Sequence, residues 1–150
     1  MELILWRHAD AENGVSDGER KLTAKGAKQA TRMAKWLRPR IPEDAVILAS
    51  PAKRAQQTAR ALSADFATVK EVGTPAQAED VLVAAGWPGG DRTVVVVGHQ
   101  PTLGETAALL LTGSKEVWSL KKGAVVWIAR RAGDKDARTH LRALISPDLL

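Results

Sequence analysis

The feature that most constrains this chain is a set of short, wholly apolar runs: Leu3-Ile4-Leu5-Trp6, Ala45-Val46-Ile47-Leu48-Ala49 and Thr93 followed by Val94-Val95-Val96-Val97. An extended strand points successive side chains to opposite faces, so a run without polar alternation needs apolar cover on both. The consecutive valines, stiff at χ1, favour extended backbone strongly. None of these runs approaches the roughly 20 apolar residues that cross a bilayer. They predict interior strands of a parallel sheet with helices packed above and below.

The intervening segments supply those helices. Residues 24–38 are rich in Ala, Lys, Gln and Arg, place Ala27, Ala30, Ala34 and Leu37 on one face, and follow Thr23 as N-cap. Residues 52–62 predict a second helix after Ser50-Pro51, 76–85 a short third, and 102–111 a fourth with Pro101 near its first turn. Residues 68–72 are a weaker strand candidate. Residues 124–129 and 139–145 predict two strands, paired antiparallel on one edge and joined by a polar turn around Gly133-Asp134-Lys135-Asp136. The stretch 9–20, with Asn13-Gly14 and Asp17-Gly18, reads as a surface loop. Alternating strands and helices predict an α/β fold: a three-layer α/β/α sandwich around a mostly parallel mixed sheet, with residues 1–150 forming a single domain.

Composition narrows the chemistry. The chain has no Cys, which excludes disulfides, thiolate zinc sites and cysteine nucleophiles. Its net charge of +5 favours anionic partners, but with 5 Trp, 1 Phe and no Tyr it lacks the aromatic interleaving of a stacking nucleic-acid groove, so no nucleic-acid partner is expected. The N-terminus goes from a short apolar run directly into charge, unlike a signal peptide, and a cytoplasmic, membrane-free protein is expected.

In parallel α/β sheets, ligands bind beyond the carboxyl ends of the strands. Arg7-His8 follow the first strand, Ser50-Pro51 with Lys53-Arg54 the second, and Gly98-His99 the valine run. Arg7, His8, Arg54 and His99 converging there make an anion site, because planar guanidinium forks match phosphate oxygens. Two histidines without a carboxylate or Cys set do not make a first-row metal site, and no metal or cofactor is expected.

The order Leu-Arg-His near the N-terminus (Leu5-Trp6-Arg7-His8), Ser50-Pro51-x-x-Arg54-Ala55-x-Gln57-Thr58-Ala59 and Gly98-His99-x-Pro101 resembles the histidine phosphatase superfamily, with its phosphoglycerate mutase-like fold. Within it, the short chain and the start Arg7-His8-Ala9-Asp10-Ala11 are most similar to small SixA-type phosphohistidine phosphatases. The resemblance implies that His8 is the nucleophile and that Arg7, Arg54 and a protonated His99 hold the equatorial phosphate oxygens. Arg20, in an Arg-x-Leu-Thr element, adds a phosphate contact. Three departures stand out. Ala9 replaces the usual Gly after the catalytic His, Ala11 replaces a Ser or Thr, and no acidic proton donor is evident; the nearest candidates are Asp10, Glu79 and Asp80.

A weak acid position favours a phosphorus–nitrogen substrate, whose imidazole leaving group is far less basic than an alkoxide. Only residues 63–92 remain as a possible cap, which points to an open site. The expected substrate is a phosphohistidine-bearing protein, such as a histidine phosphotransfer domain or a phosphocarrier, docked on a basic rim including Lys53, Lys121 and Lys122. A small-molecule phosphomonoesterase of the same superfamily and a noncatalytic phosphate- or phosphohistidine-binding domain are the alternatives.

Overall fold

The computed structural model describes residues 1–133 and 135–150; of the expected polar turn, Asp134 lies outside the described residues. The elements in chain order are β1 (Glu2–Arg7), α1 (Ala24–Leu37), β2 (Val46–Ala49), α2 (Lys53–Leu62), β3 (Ala67–Thr68), α3 (Ala78–Ala85), β4 (Thr93–Gly98), α4 (Thr102–Thr112), β5 (Val125–Ala129) and β6 (His140–Ile145). Short 3-10 turns cover Asp17–Glu19, Lys70–Val72 and Pro147–Leu149.

The strands form one sheet in the order β3-β2-β4-β1-β5-β6. β1, β2, β3 and β4 run parallel, while β5 pairs antiparallel with both β1 and β6. The expected antiparallel edge pair is therefore present. The apolar runs are buried on both faces, as their lack of alternation requires. Leu3, Leu5, Val94 and Val96 pack on one side with Val81 and Ala85 of α3 and Leu103 and Ala107 of α4. Ile4, Trp6, Val95 and Val97 pack on the other with Met33, Ala34 and Leu37 of α1 and Ala55, Ala59 and Leu62 of α2. This is the three-layer arrangement.

The weak candidate at residues 68–72 is corrected. Only Ala67–Thr68 pair with β2, and the chain then tightens into the 3-10 turn Lys70–Val72, which buries Val72. Burying that one valine against the core outweighs two more ladder positions at a sheet edge.

α1 starts where expected. Thr23 Oγ1 accepts the Gly26 N–H at 2.9 Å, satisfying one of the free donors of the first turn. Gly26 lets this turn lie against the chain leaving β1, since a Cβ there would sit 1.9 Å from the Asp10 carbonyl oxygen. Gly26→Ala is expected to destabilise the protein by about 1–3 kcal/mol, the usual cost of overpacking a close contact, read as a lower denaturation midpoint.

Candidate functional site

The parallel registry of β1, β4 and β2 brings their carboxyl ends together. Arg7 is level with Gly98 and Ala49 with Val97, so His8, His99 and Ser50 emerge side by side. The ladder carries on past the strands: His8 N–H donates to Gly98 O and Ser50 N–H to Val97 O, both at 3.0 Å. Arg54 enters from the first turn of α2, just beyond β2. The structure thus joins His8, Arg54 and His99, residues separated by dozens of positions in sequence.

Their hydrogen bonds assign the imidazole protons. His8 Nδ1–H donates to Ala9 O at 2.7 Å, and Arg54 Nε–H donates to His8 Nε2 at 3.3 Å, so Nε2 carries the lone pair. Arg54 Nη2 donates to His99 Nδ1 at 3.4 Å, leaving the His99 proton on Nε2, 2.7 Å from Ser50 Oγ. The two rings lie 5.2 Å apart, centroid to centroid. Both are buried, as is Arg54.

Burial is the main force on both imidazoles. It pushes His8 down to about 4, reinforced by the charges of Arg54, Arg7 and Arg20 and opposed by the bond to Ala9. His99 is pushed down to about 3, first by burial and then by His8 and Arg54. Burial beside a guanidinium disfavours the His99 proton, so the protonated form expected against phosphate needs the charge of the anion itself to restore it. A folded-state value below the unfolded one makes the native state resist protonation. The associated stability is intact above about pH 6.5 and is lost as pH falls towards 4 for His8 and 3 for His99. Each tenfold difference in proton affinity between the folded and unfolded chain is worth about 1.4 kcal/mol. Denaturant titrations are therefore expected to show a loss of several kcal/mol from pH 7 to 4, with part of it absent in His8→Asn.

Arg7 lies at the end of β1. Its Nη1 donates to Leu120 O at 2.6 Å, while its Nε is buried without a partner. Arg20 makes no hydrogen bond to His8 or His99, although its charge reaches His8. Its Nε donates to Glu12 O at 2.7 Å and its Nη1 to Asp17 Oδ1 at 3.1 Å. The three proton-donor candidates are engaged elsewhere. Asp10 takes Lys122 Nζ and Thr23 Oγ1, each at 2.7 Å, and these two bonds hold its carboxyl below the usual range. Glu79 pairs with Lys115 at 2.6 Å, which likewise keeps it ionised. Asp80 caps α3, accepting the Gln77 N–H at 2.8 Å. Helix starts and loop ties consume these carboxylates.

Several contacts escaped sequence reasoning. Thr58 Oγ1 accepts the Ala9 N–H at 3.1 Å and donates to Arg54 O at 2.8 Å, pinning the residue after His8 to α2. Gln57 accepts the Leu22 N–H at 2.8 Å. The Gln57-Thr58 pair inside the Ser-Pro-x-x-Arg segment was the available signal. Asp17, legible in sequence only as part of a turn, accepts Arg54 through both its backbone oxygen, at 2.7 Å, and its carboxylate, at 3.1 Å.

Two depressions open beside the site. One of about 570 Å³ is lined by Arg7, Lys25, Gln29, Leu120, Lys121 and Lys122, among others. The other, about 490 Å³, is bordered by Asp17, Ser50 and Pro51 and by the turn at Gly73-Thr74-Pro75. Among the described residues no group of acidic, His or Cys side chains is arranged to hold a metal ion.

The family model of the histidine phosphatase superfamily (branch 1) matches residues 3–79, which hold β1, α2, His8 and Arg54. The chain belongs to this superfamily. An uncharacterized protein of Picosynechococcus is 33% identical to this chain over 100% of the chain and 99% of its own length. The phosphohistidine phosphatase SixA of Escherichia coli is 31% identical over 75% of this chain and 76% of that protein. Among solved structures, one from Nakamurella multipartitia assigned as a SixA phosphohistidine phosphatase has a TM-score of 0.79 at 28% identity, covering 97% of this chain and 95% of the other. The protein histidine phosphatase SixA complexed with tungstate superimposes with a TM-score of 0.80 at 23% identity over 99% of both chains. The fold is phosphoglycerate mutase-like, as the sequence resemblance implied, and no helix among the described residues is long and apolar enough to cross a membrane.

Proposed function

We propose that this histidine phosphatase removes the phosphoryl group from phosphohistidine on a protein, by way of a phosphoryl group carried on His8 Nε2. The observation that carries this reading is how the His8 ring is hydrogen-bonded at both nitrogens. Its proton is committed to Ala9 O, and its lone pair meets a buried guanidinium. In the first step the Nε2 lone pair attacks phosphorus while the bond to the substrate imidazole breaks, its electron pair leaving with that nitrogen. The new bond makes the His8 ring cationic, and Ala9 O, already accepting the Nδ1 proton, stabilises it. In the second step water attacks phosphorus opposite Nε2, the bond to His8 breaks, and inorganic phosphate departs with the water proton passed to solvent or phosphate.

Arg54 and Arg7 supply fixed charge for the equatorial oxygens of a loose transition state. The unpartnered Arg7 Nε supports this role, because a buried N–H without an acceptor is costly and an anion would satisfy it. His99 enters neutral, and a bound dianion would raise its proton affinity.

Two features favour phosphohistidine over a phosphate ester. Asp10, Glu79 and Asp80 are all held elsewhere, so an alkoxide would leave without a placed acid, whereas an imidazole protonated on its other nitrogen leaves neutral. Residues 63–92 also pack onto the sheet instead of roofing the site, with Val72, Val81 and Ala85 in the core. An open site suits a group presented on a protein.

The basic rim is best placed along α1. Lys121 pairs with Asp148 and Lys122 with Asp10, whereas Lys28 and Arg32, lining a depression that shares Lys25 and Gln29 with the Arg7 one, have no acidic partner among the described residues. A complementary partner presents an acidic face there. Lys28→Glu with Arg32→Glu is expected to raise KM for an acidic phosphohistidine protein about tenfold at low salt, with the effect shrinking as salt screens it. KM for a free phosphoramidate is expected to stay unchanged. The reading itself is tested by phosphate release from a phosphohistidine protein and from an aryl phosphate, with and without chelator. Chelator-insensitive preference for phosphohistidine supports it. Preference for the ester replaces it with a small-molecule phosphomonoesterase, and tight phosphate binding without turnover replaces it with a binding domain.

A further inference from the structure

The Arg54 guanidinium has two usable edges, and the structure fills them with different kinds of partner. The edge formed by Nε and Nη2 faces the reacting groups, donating to His8 Nε2 and His99 Nδ1. The edge formed by Nη1 and Nη2 faces the loop after β1, donating to Asp17 O and to Asp17 Oδ2. The second carboxylate oxygen of Asp17 takes Arg20 at 3.1 Å, so one aspartate bridges two guanidinium groups. Asp17 itself is 60% exposed while the Arg54 side chain is 4% exposed. The loop thus reaches inward to grip a buried cation from its outer side.

We propose that Asp17 is a positioning residue which clamps the outer edge of Arg54 and so aims the inner edge at the phosphoryl group; this rests on the reading that Arg54 holds phosphate. A phosphoryl group between His8 and His99 replaces those two nitrogens as acceptor on the inner edge, and Asp17 keeps its own edge throughout. The clamp makes two contributions. Its negative charge offsets the pull of the cation on either anion, while its fixed geometry favours only the equatorial oxygens of a five-coordinate phosphorus. Such a residue selects the transition state over the bound product. Asp17 is not the missing proton donor: the bonds from Arg20 and Arg54 hold its carboxyl below the usual range and keep it ionised.

The test uses the intact protein and needs no knowledge of the natural substrate. Affinities for orthovanadate, which mimics the five-coordinate state on His8, and for inorganic phosphate are measured for wild type, Asp17→Ala and Asp17→Asn, with thermal midpoints as a folding control. Misaiming a positioned group costs up to about 100-fold, so Asp17→Ala is expected to lose about 10- to 100-fold in vanadate affinity. Phosphate affinity is expected to hold within about threefold or to rise. Asp17→Asn, which keeps an acceptor oxygen, is expected to recover part of the vanadate affinity. Parallel loss for both anions would mean that Asp17 merely orders the loop, and unchanged vanadate affinity would mean that Arg54 needs no clamp; either overturns the proposal. A wild-type protein that binds neither anion would overturn the phosphate reading of Arg54 as well, which separates the two failures.

Discussion

His8→Ala is expected to abolish phosphate release, lowering kcat by about 10⁴-fold or more, in line with loss of the nucleophile from other covalent enzymes. The expectation rests on geometry. Among the described residues, the one other neutral nitrogen lone pair that meets Arg54 is His99 Nδ1, and the His99 ring is fixed through Nε2 to Ser50. The variant should remain folded, because the His8 side chain makes one bond to a neighbouring carbonyl and accepts one from Arg54, which keeps Asp17 and His99 as partners, and its buried ring opposes stability in acid. Phosphate release by His8→Ala comparable to wild type, in a folded protein, would transfer the reaction elsewhere.

The second large effect is expected at Arg54. Arg54→Lys keeps the charge but loses the fork, and lysine cannot serve His8, His99 and Asp17 together. Removing one preorganised donor from an anion-stabilising site costs about 10²–10³ in rate, and kcat for phosphohistidine is expected to fall by that factor with a smaller change in KM. Arg54→Ala is expected to add a stability loss of about 1–3 kcal/mol, because it strands the buried acceptors His8 Nε2 and His99 Nδ1. Steady-state kinetics with both variants, alongside their denaturation midpoints, separate the two costs.

Much of the architecture is legible in sequence because it depends on patterns carried by a few contiguous residues. Leu3 to Trp6 and the valines of β4 have no polar face, and the only way to bury both faces is between helices. Once those strands are parallel, the residues after each one share an edge, which is why Arg7, His8, Arg54 and His99 can be named together. Sequence overextends β3 because Val72 is equally apolar in a strand or in a turn against the core. The acidic candidates could not be ranked for a different reason: sequence shows where a carboxylate is, not which donor takes it. Asp10, Glu79 and Asp80 are taken by Lys122 and Thr23, by Lys115, and by a helix start. Asp17 escapes notice because its role depends on closure of a loop onto α2, 37 positions away. Burial, which works against the His99 proton, is likewise not carried by a motif.

Where the phosphoryl group goes decides between a covalent route through His8 and any other. Rapid quenching of the protein with a phosphorus-labelled phosphohistidine substrate, followed by phosphorus NMR and peptide mapping, reads that position. The expected result is one acid-labile phosphoramidate on Nε2 of His8, formed and lost at rates compatible with turnover and absent from His8→Ala. Turnover with no phosphoprotein, or label on His99 or on the Nδ1 of His8, would contradict it.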